Sequence, residues 1–328
     1  MAINQHQLAH WPNPSLALRS PMSASDEHDR LASVLGDTLA HAANETLILA
    51  RLEEFLDPKP PKLATSRERA DALNKSIDAL VKEYGGPPRL IIHFTNEPKP
   101  RYDTYLSAAL DEVMQLFNRT RNSLCRARAF LIGMHFLETK PNLINIPEDA
   151  PPEVHSFFQN GASNAFWEHT ESCYIRLAGY WDRVGQVLDF AFFGIRQYER
   201  DGFSAVLDRI RANTLRMHPD IGNLSAWKLL WKYKKSERED GLQWLLSRRN
   251  LLVHSLHLRP AEPEEPEELY ESAFNHLDTR FRESLSVGTP EVEVNRLHSH
   301  LTAAAELFPR VIELCQHYAP HSPVRTEG

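Results

Sequence analysis

Three features of the sequence predict an all-α fold, a multi-helix bundle. Gly is scarce, at 13 of 328 residues. Leu, Ala, Glu and Arg fill long stretches that carry no turn signal, and these side chains lose little freedom in a helix. Apolar residues recur three and four positions apart, which collects them on one helical face. An apolar content of 42% with 25% charged residues is that of a chain able to build a core. Its length suggests two parts, at roughly 150 residues per domain.

Residues 1 to 24 lack periodicity and read as a loose tail. A helix is predicted from Ser25, with Leu31, Val34, Leu35, Leu39, Ala43, Leu47, Leu49 and Leu52 as its apolar stripe, and Asp57-Pro58-Lys59-Pro60-Pro61 ends it. A second, opened by Thr65 or Ser66 as N-cap, runs to Tyr84, where Gly85-Gly86-Pro87-Pro88 stops it. Arg89 to Thr95, RLIIHFT, is short and β-branched, and one strand cannot satisfy its own backbone. A two-stranded β element is therefore expected near 89–95 and 142–146, pairing RLIIHFT with NLINI across a long helix from Tyr102 to about Glu138. Pro147 through Pro152 is the strongest linker signal. It separates an N-terminal helical region of unknown role, 25–150, from a second helical domain, 151–320, with 321–328 as a closing tail.

In the second half, a helix from about Asn164 to Arg200 carries Trp167, Tyr174, Tyr180, Trp181, Phe190, Phe192 and Phe193, an aromatic core in one element that Gly202 ends. Phe203 to about Arg216 and Leu224 to Tyr233 read as shorter helices. Ser236 stands three residues before Glu239, a capping-box spacing that predicts a helix from Glu237 to about Leu256, closed by Pro260. After the acidic loop Glu262 to Glu268, helices are expected from Leu269 to Leu285 and from Pro290 to Tyr318, the last kinked at Pro309.

Composition excludes several classes of function. Cys125, Cys173 and Cys315 are far apart and form no CxxC pair, so neither a disulfide framework nor a zinc knuckle is indicated. A reducing, cytoplasmic setting fits. No cationic start leads into an apolar run of signal-peptide length, and the most apolar segment, Val187 to Ile195, is too short for a membrane span and is broken by Asp189. A net charge of −7 argues against indiscriminate binding of nucleic acid. Yet between Trp227 and Arg259 the cations Lys228, Lys232, Lys234, Lys235, Arg238, Arg248, Arg249 and Arg259 face only Glu237, Glu239 and Asp240. One basic zone sits on an acidic chain.

Within that zone lies Arg249-Asn250-Leu251-Leu252-Val253-His254. With 16 His in the chain, an Arg and a His with four to six residues between them carry little weight by spacing alone; Arg128 and His135, with six between them, form a comparable pair with apolar neighbours and no other supporting feature. More telling is Asn250, four residues before His254 and so on its helical face. Leu245, Leu246, Leu252 and Val253 would hold the cluster at a packed boundary, and the flanks are basic, as a polyanion requires.

RRNLLVH resembles the signature of the HEPN superfamily: an Arg, a polar residue, then a His after four to six intervening residues, toward the end of a helix. The segment Tyr180-Trp181-Asp182-Arg183-Val184-Gly185-Gln186 is similar to the first long helix of that domain in some bacterial groups. The resemblance covers residues 160 to 318 and is silent on the first 150. It implies a metal-independent endoribonuclease with no cofactor, cutting RNA to a 2′,3′-cyclic phosphate and a 5′-hydroxyl in a toxin or phage-defence setting. His254 would act as general base or acid, Arg249 would neutralise charge on the phosphate oxygens, and Asn250 would orient His254 or bond the phosphate. It further implies a homodimer, through the helices predicted at 164–200 and 237–256, and an antitoxin or regulatory partner.

Weaker candidates carry a plainer reading beside the functional one. Arg248 is a substrate contact, or a solvated or ion-paired neighbour of the motif. Asp182 and Arg183 support the motif from the facing helix, or form an interhelix ion pair. His257 shares the His254 face or sits at a fraying end. Arg119, Arg121, Arg126 and Arg128 guide RNA or are simply solvated. His298 and His300, two apart, point to different sides of a helix and are not a shared metal site. The main rivals to catalysis are a HEPN-like module that binds nucleotide, RNA or protein without cutting, and a helical scaffold in which RRNLLVH is a buried polar network.

Overall fold

The computed structural model describes residues 24–56, 61–63, 67–84, 102–144, 146–147, 149–194, 202–254 and 287–323, nearly all of them helical. The chain forms two compact units, Met1–Arg51 and Leu52–Gly328. In the first, helix α1 (Ala24–Leu56, its last turn in the second unit) follows the predicted bounds. Its apolar stripe is not a core face: Leu31, Val34, Leu35, Leu39 and Leu47 are all exposed.

The second unit is built around α4, Pro152–Phe193. From Val184 to Phe192 nine consecutive residues are buried, and a helix closed off on every side must be the centre of its bundle. Helix α3 (Tyr102–Thr139) packs along it, and α10 (Pro290–Tyr318) lies against α4, α3 and α2 (Arg67–Glu83). One buried apolar cluster contains Phe117 and Leu124 of α3, Tyr180 and Trp181 of α4, and Phe308 of α10. It runs across Pro147–Pro152 without a break, so that segment connects two helices of one core.

Three differences from the sequence reading have local causes. Among the described residues there is no strand; Pro141–Ile144 is a turn of 3-10 helix, and 89–95 lies outside the described residues. A short apolar run such as NLINI suits strand and helix equally, and without a partner ladder the tight helical turn satisfies its backbone locally. Helix α4 starts at Pro152, with proline in the first turn, where its missing N–H costs nothing. It ends at Gly194, whose φ of 65° is the left-handed cap that glycine adopts freely; the Gly194 N–H donates to the Phe190 carbonyl at 2.9 Å.

Gly202 has another task. A Cβ there would lie 2.6 Å from Asp182 Oδ1, and one at Gly185 would lie 2.6 Å from the Phe203 backbone nitrogen. These two glycines let the start of α5 (Phe203–Arg209) close onto α4. Helix α5 continues through a π turn, Ile210–Thr214, into α6 (Leu215–Met217), then α7 (Pro219–Asn223) and α8 (Ser225–Lys235).

The third difference concerns α9, which begins at Leu242, not Glu237. Residues 236–241 form a tight turn in which Gly241 N–H donates to the Arg238 carbonyl at 2.7 Å. No capping box forms, because the Glu239 carboxylate is taken by Arg296 of α10 at 2.6 Å. The Gln243 side chain instead donates to the Lys234 carbonyl at 2.8 Å, capping the end of α8. Pro309 lies inside α10; the helix expected at 269–285 and the end of α9 beyond His254 lie outside the described residues.

Candidate functional site

Helix α9 runs unbroken from Leu242 to His254, so Arg249, Asn250 and His254 are carried by one element, with Asn250 and His254 one turn apart. Buried Leu242, Leu245 and Leu251 fix its inward side. Arg249 falls at the edge of that side, half-buried, and Asn250 is exposed. Arg249 Nη1 donates to Asn250 Oδ1 at 3.0 Å. The His254 side chain and the whole of His257 lie outside the described residues.

The Arg249 charge is felt at Asp182 of α4. Burial raises the Asp182 carboxyl above its ordinary value, and the Arg249 and then the Arg183 guanidinium pull it back in part. A partly desolvated carboxyl within the field of a cation is sensitive to any anion that competes for that cation. Arg183 is also engaged on α3 and within α4: Nε pairs with Glu112 of α3 at 2.7 Å and Nη1 donates to Gln186 at 2.9 Å. Asp182 thus belongs to the motif's surroundings, and Arg183 to the α3–α4 contact.

Arg248 is 0% exposed. Nη2 donates to Glu293 of α10 at 2.7 Å, and the guanidinium lies over the Trp244 and Tyr174 rings at 5.1 and 5.6 Å. Glu293, equally buried, also accepts from Arg296 at 2.7 Å, from the Gly288 N–H at 2.8 Å and from the Tyr174 hydroxyl at 2.6 Å. Both oxygens of a buried carboxylate are therefore satisfied, which a buried charge requires. The ion-paired reading of Arg248 is the one the geometry describes, and the pair locks α9 against α10 one residue from Arg249.

His300 of α10 stacks on the same Trp244, at 5.6 Å between centroids and 19° between planes. Burial pushes its imidazole down to about 4, partly offset by Asp240 and by the Glu239 backbone. It is a neutral core ring near pH 7. Sequence reading found neither Glu293 nor His300 as members of this network, although Arg248 continues the inward spacing of Leu242 and Leu245 and was to that extent legible as buried.

A second cluster went partly unnoticed. Arg211, from the π turn, stands 4.9 Å over the Trp231 ring of α8, with Lys234 and Lys235 at 4.5 and 5.2 Å. The basic zone was evident from Trp227 onward; Arg211, twenty residues upstream of Trp231, joins it only through the fold. On α3, Arg121 pairs with Glu53 at 2.5 Å, and the Arg119 carbonyl accepts from Arg176 at 3.3 Å.

Among the described residues, no group of three or more His, Cys, Asp or Glu could hold a metal ion, and no helix is long and apolar enough to cross a membrane. No protein-family model, curated protein or solved structure matches the chain.

Proposed function

We propose that this protein is a HEPN-type endoribonuclease that cleaves RNA by attack of a 2′-hydroxyl on the adjacent phosphate. The observation that carries the reading is the half-buried Arg249, bonded to Asn250 and opposed by Asp182, on a helix that stays regular as far as His254. A guanidinium held at a packed boundary is pre-oriented, and part of its hydration is already removed.

In this mechanism His254 takes the proton of the 2′-hydroxyl as its oxygen bonds to phosphorus. Arg249 neutralises the charge that builds on the non-bridging oxygens. The bond from phosphorus to the 5′-oxygen breaks as that oxygen takes a proton from a second, protonated His254 in the facing copy or from water, giving a 2′,3′-cyclic phosphate and a 5′-hydroxyl, and no metal is called for. Asn250 fixes the Arg249 fork; Asp182 steadies that cation until phosphate displaces it. As the resemblance implies, two copies would face their motif helices into one cleft, doubling its positive charge. A cytoplasmic toxin or defence role, held in check by an antitoxin or regulatory partner, is the setting such an activity would need.

The test is cleavage of single-stranded RNA by the purified chain in EDTA, with end-group analysis of the products. Wild type yields cyclic-phosphate ends. Arg249→Ala and His254→Ala lose about 10²-fold or more, the usual scale for a general base or a charge-stabilising group, with unchanged circular dichroism. Equal cleavage by all three proteins sinks the proposal.

A further inference from the structure

Helix α8 presents a row of cations that no ion pair among the described residues neutralises. Lys228, Lys232 and Lys235 are exposed and spaced four and three residues apart, so they share one face and repel one another. Trp231 lies within the same stripe and gathers Arg211, Lys234 and Lys235 around its ring. Of these three, only Lys234 is paired with a carboxylate among the described residues, that of Asp208. The nearby turn offers little compensation: Asp240 faces Arg238 at 3.6 Å, Glu239 is held by Arg296, and exposed Glu237 is a single acid against the row. No ion pair joins Arg211, Lys228, Lys232 or Lys235 to an acid among the described residues.

Arg211 reaches this stripe because the chain departs from α geometry at Ile210–Thr214. Such π turns are rare, and they recur at functional sites. An indole attracts cations through its ring electrons, but it carries no charge, so among the described residues the cluster keeps its net positive charge. A polyanion laid along α8 would be bound by that excess and would release its own counterions on binding.

We propose that the exposed face of α8, completed by Arg211, is a docking surface for the phosphodiester backbone of single-stranded RNA. The choice of RNA rests on the function proposed above; the surface itself rests on the cation geometry. Cations occupy the Trp231 ring, so it cannot serve as a stacking platform for bases, and recognition is of charge and not of sequence. A single strand suits the chemistry, because in-line attack by a 2′-hydroxyl needs a backbone free of a duplex. Trp181 of α4 meets Phe203 of α5 and Tyr233 of α8, and the Arg249 charge of α9 reaches the neighbouring Asp182. A strand held on α8 therefore lies on elements that share their footing with the motif.

The experiment is binding of a fluorescein-labelled, 2′-O-methyl RNA 20-mer to the full chain, followed by anisotropy over a range of KCl in EDTA. Such RNA cannot be cleaved by 2′-hydroxyl attack, so binding is read apart from catalysis. The expected result is that Lys228→Gln/Lys232→Gln/Lys235→Gln weakens binding at least about tenfold and makes the slope of log K against log salt shallower by about 2, at roughly 0.7 per lost phosphate contact. Arg211→Gln weakens it further, and the control Lys75→Gln/Lys82→Gln on α2 leaves it unchanged.

Unaltered affinity and slope in the triple variant overturn the proposal, as does an equal loss in the control. A polyglutamate of matched charge that displaces the RNA equally well also overturns it, by marking the surface as one for acidic protein. Salt-dependent binding that the triple variant loses, in a chain that cuts no RNA, upholds the surface and removes the nuclease. Cleavage lost in His254→Ala with binding indifferent to the lysines does the reverse.

Discussion

Two clusters of cations and aromatic rings flank the same core and are balanced in opposite ways. Around Trp244, Arg248 and Arg296 share the buried Glu293, which accepts hydrogen bonds from four groups. Around Trp231, Arg211, Lys234 and Lys235 have one paired carboxylate between them among the described residues, that of Asp208. Residue types are nearly the same; the count of buried acids differs. Where charge is removed from water, a buried carboxylate and its cations must answer one another inside the protein. Where it stays in water, an imbalance is tolerated and remains available to a partner. The first arrangement holds helices together, and the second can hold something else.

Removing one member of the buried set should have the largest effect. Glu293→Ala leaves Arg248 as an uncompensated buried cation and should lower the unfolding free energy by about 3–5 kcal/mol, measured by urea denaturation. A loss below about 1 kcal/mol would mean that the pair contributes little, and the contrast between the clusters would fail. Next comes acid. His300 has an ordinary value of 6.5 and stands at about 4 in the folded chain. The unfolded chain therefore binds a proton that the folded one refuses, and stability falls as pH drops from 6.5 toward 4. This amounts to about 3 kcal/mol at pH 4. His300→Gln should flatten that part of the profile relative to wild type; identical pH profiles would refute it.

Much of this arrangement is local, and what is local was readable. Bounds of α1, α2, α3 and α8 follow from apolar spacing and from the Pro and Gly residues beside them. Arg249, Asn250 and His254 lie within six residues of one helix, so their common element was legible too. What could not be read depends on partners far along the chain. Glu239 has the spacing of a capping box, yet Arg296, 57 residues on, takes its carboxylate and the helix starts later. Glu293 looks like an ordinary acid in a first helical turn until α9 brings Arg248 to it across 45 residues. Gly202 reads as the stop of α4, but Gly194 ends the helix and the approach of α5 shows that Gly202 serves contact with Asp182. Periodicity on α1 predicts a buried stripe, but it cannot say whether a neighbour exists to cover it.

A smaller effect should come from the ring at the centre of the exposed cluster. Trp231→Leu keeps an apolar side chain on the half-buried position but removes the π face under three cations. Contacts of this kind at exposed sites are worth about 0.5–1 kcal/mol each. With Lys234 still tied to Asp208, a loss of about 1–2 kcal/mol in denaturation is expected. A loss comparable to that of Glu293→Ala would show that the Trp231 cluster is as structural as the Trp244 cluster.

Smallest of all should be the thermodynamic consequence of neutralising the outer row. Exposed substitutions away from special contacts change stability by no more than about 0.5 kcal/mol, and Gln is nearly as good a helix former as Lys. In Lys228→Gln/Lys232→Gln/Lys235→Gln the repulsion along α8 disappears, so Tm should stay level or rise slightly at low salt. Raising KCl screens that repulsion in wild type, and the gap between the two proteins should close as salt increases. A triple variant that melts well below wild type at every salt concentration would mean that these lysines support the fold. The charge on α8 would then be structural, and the two clusters would differ only in exposure.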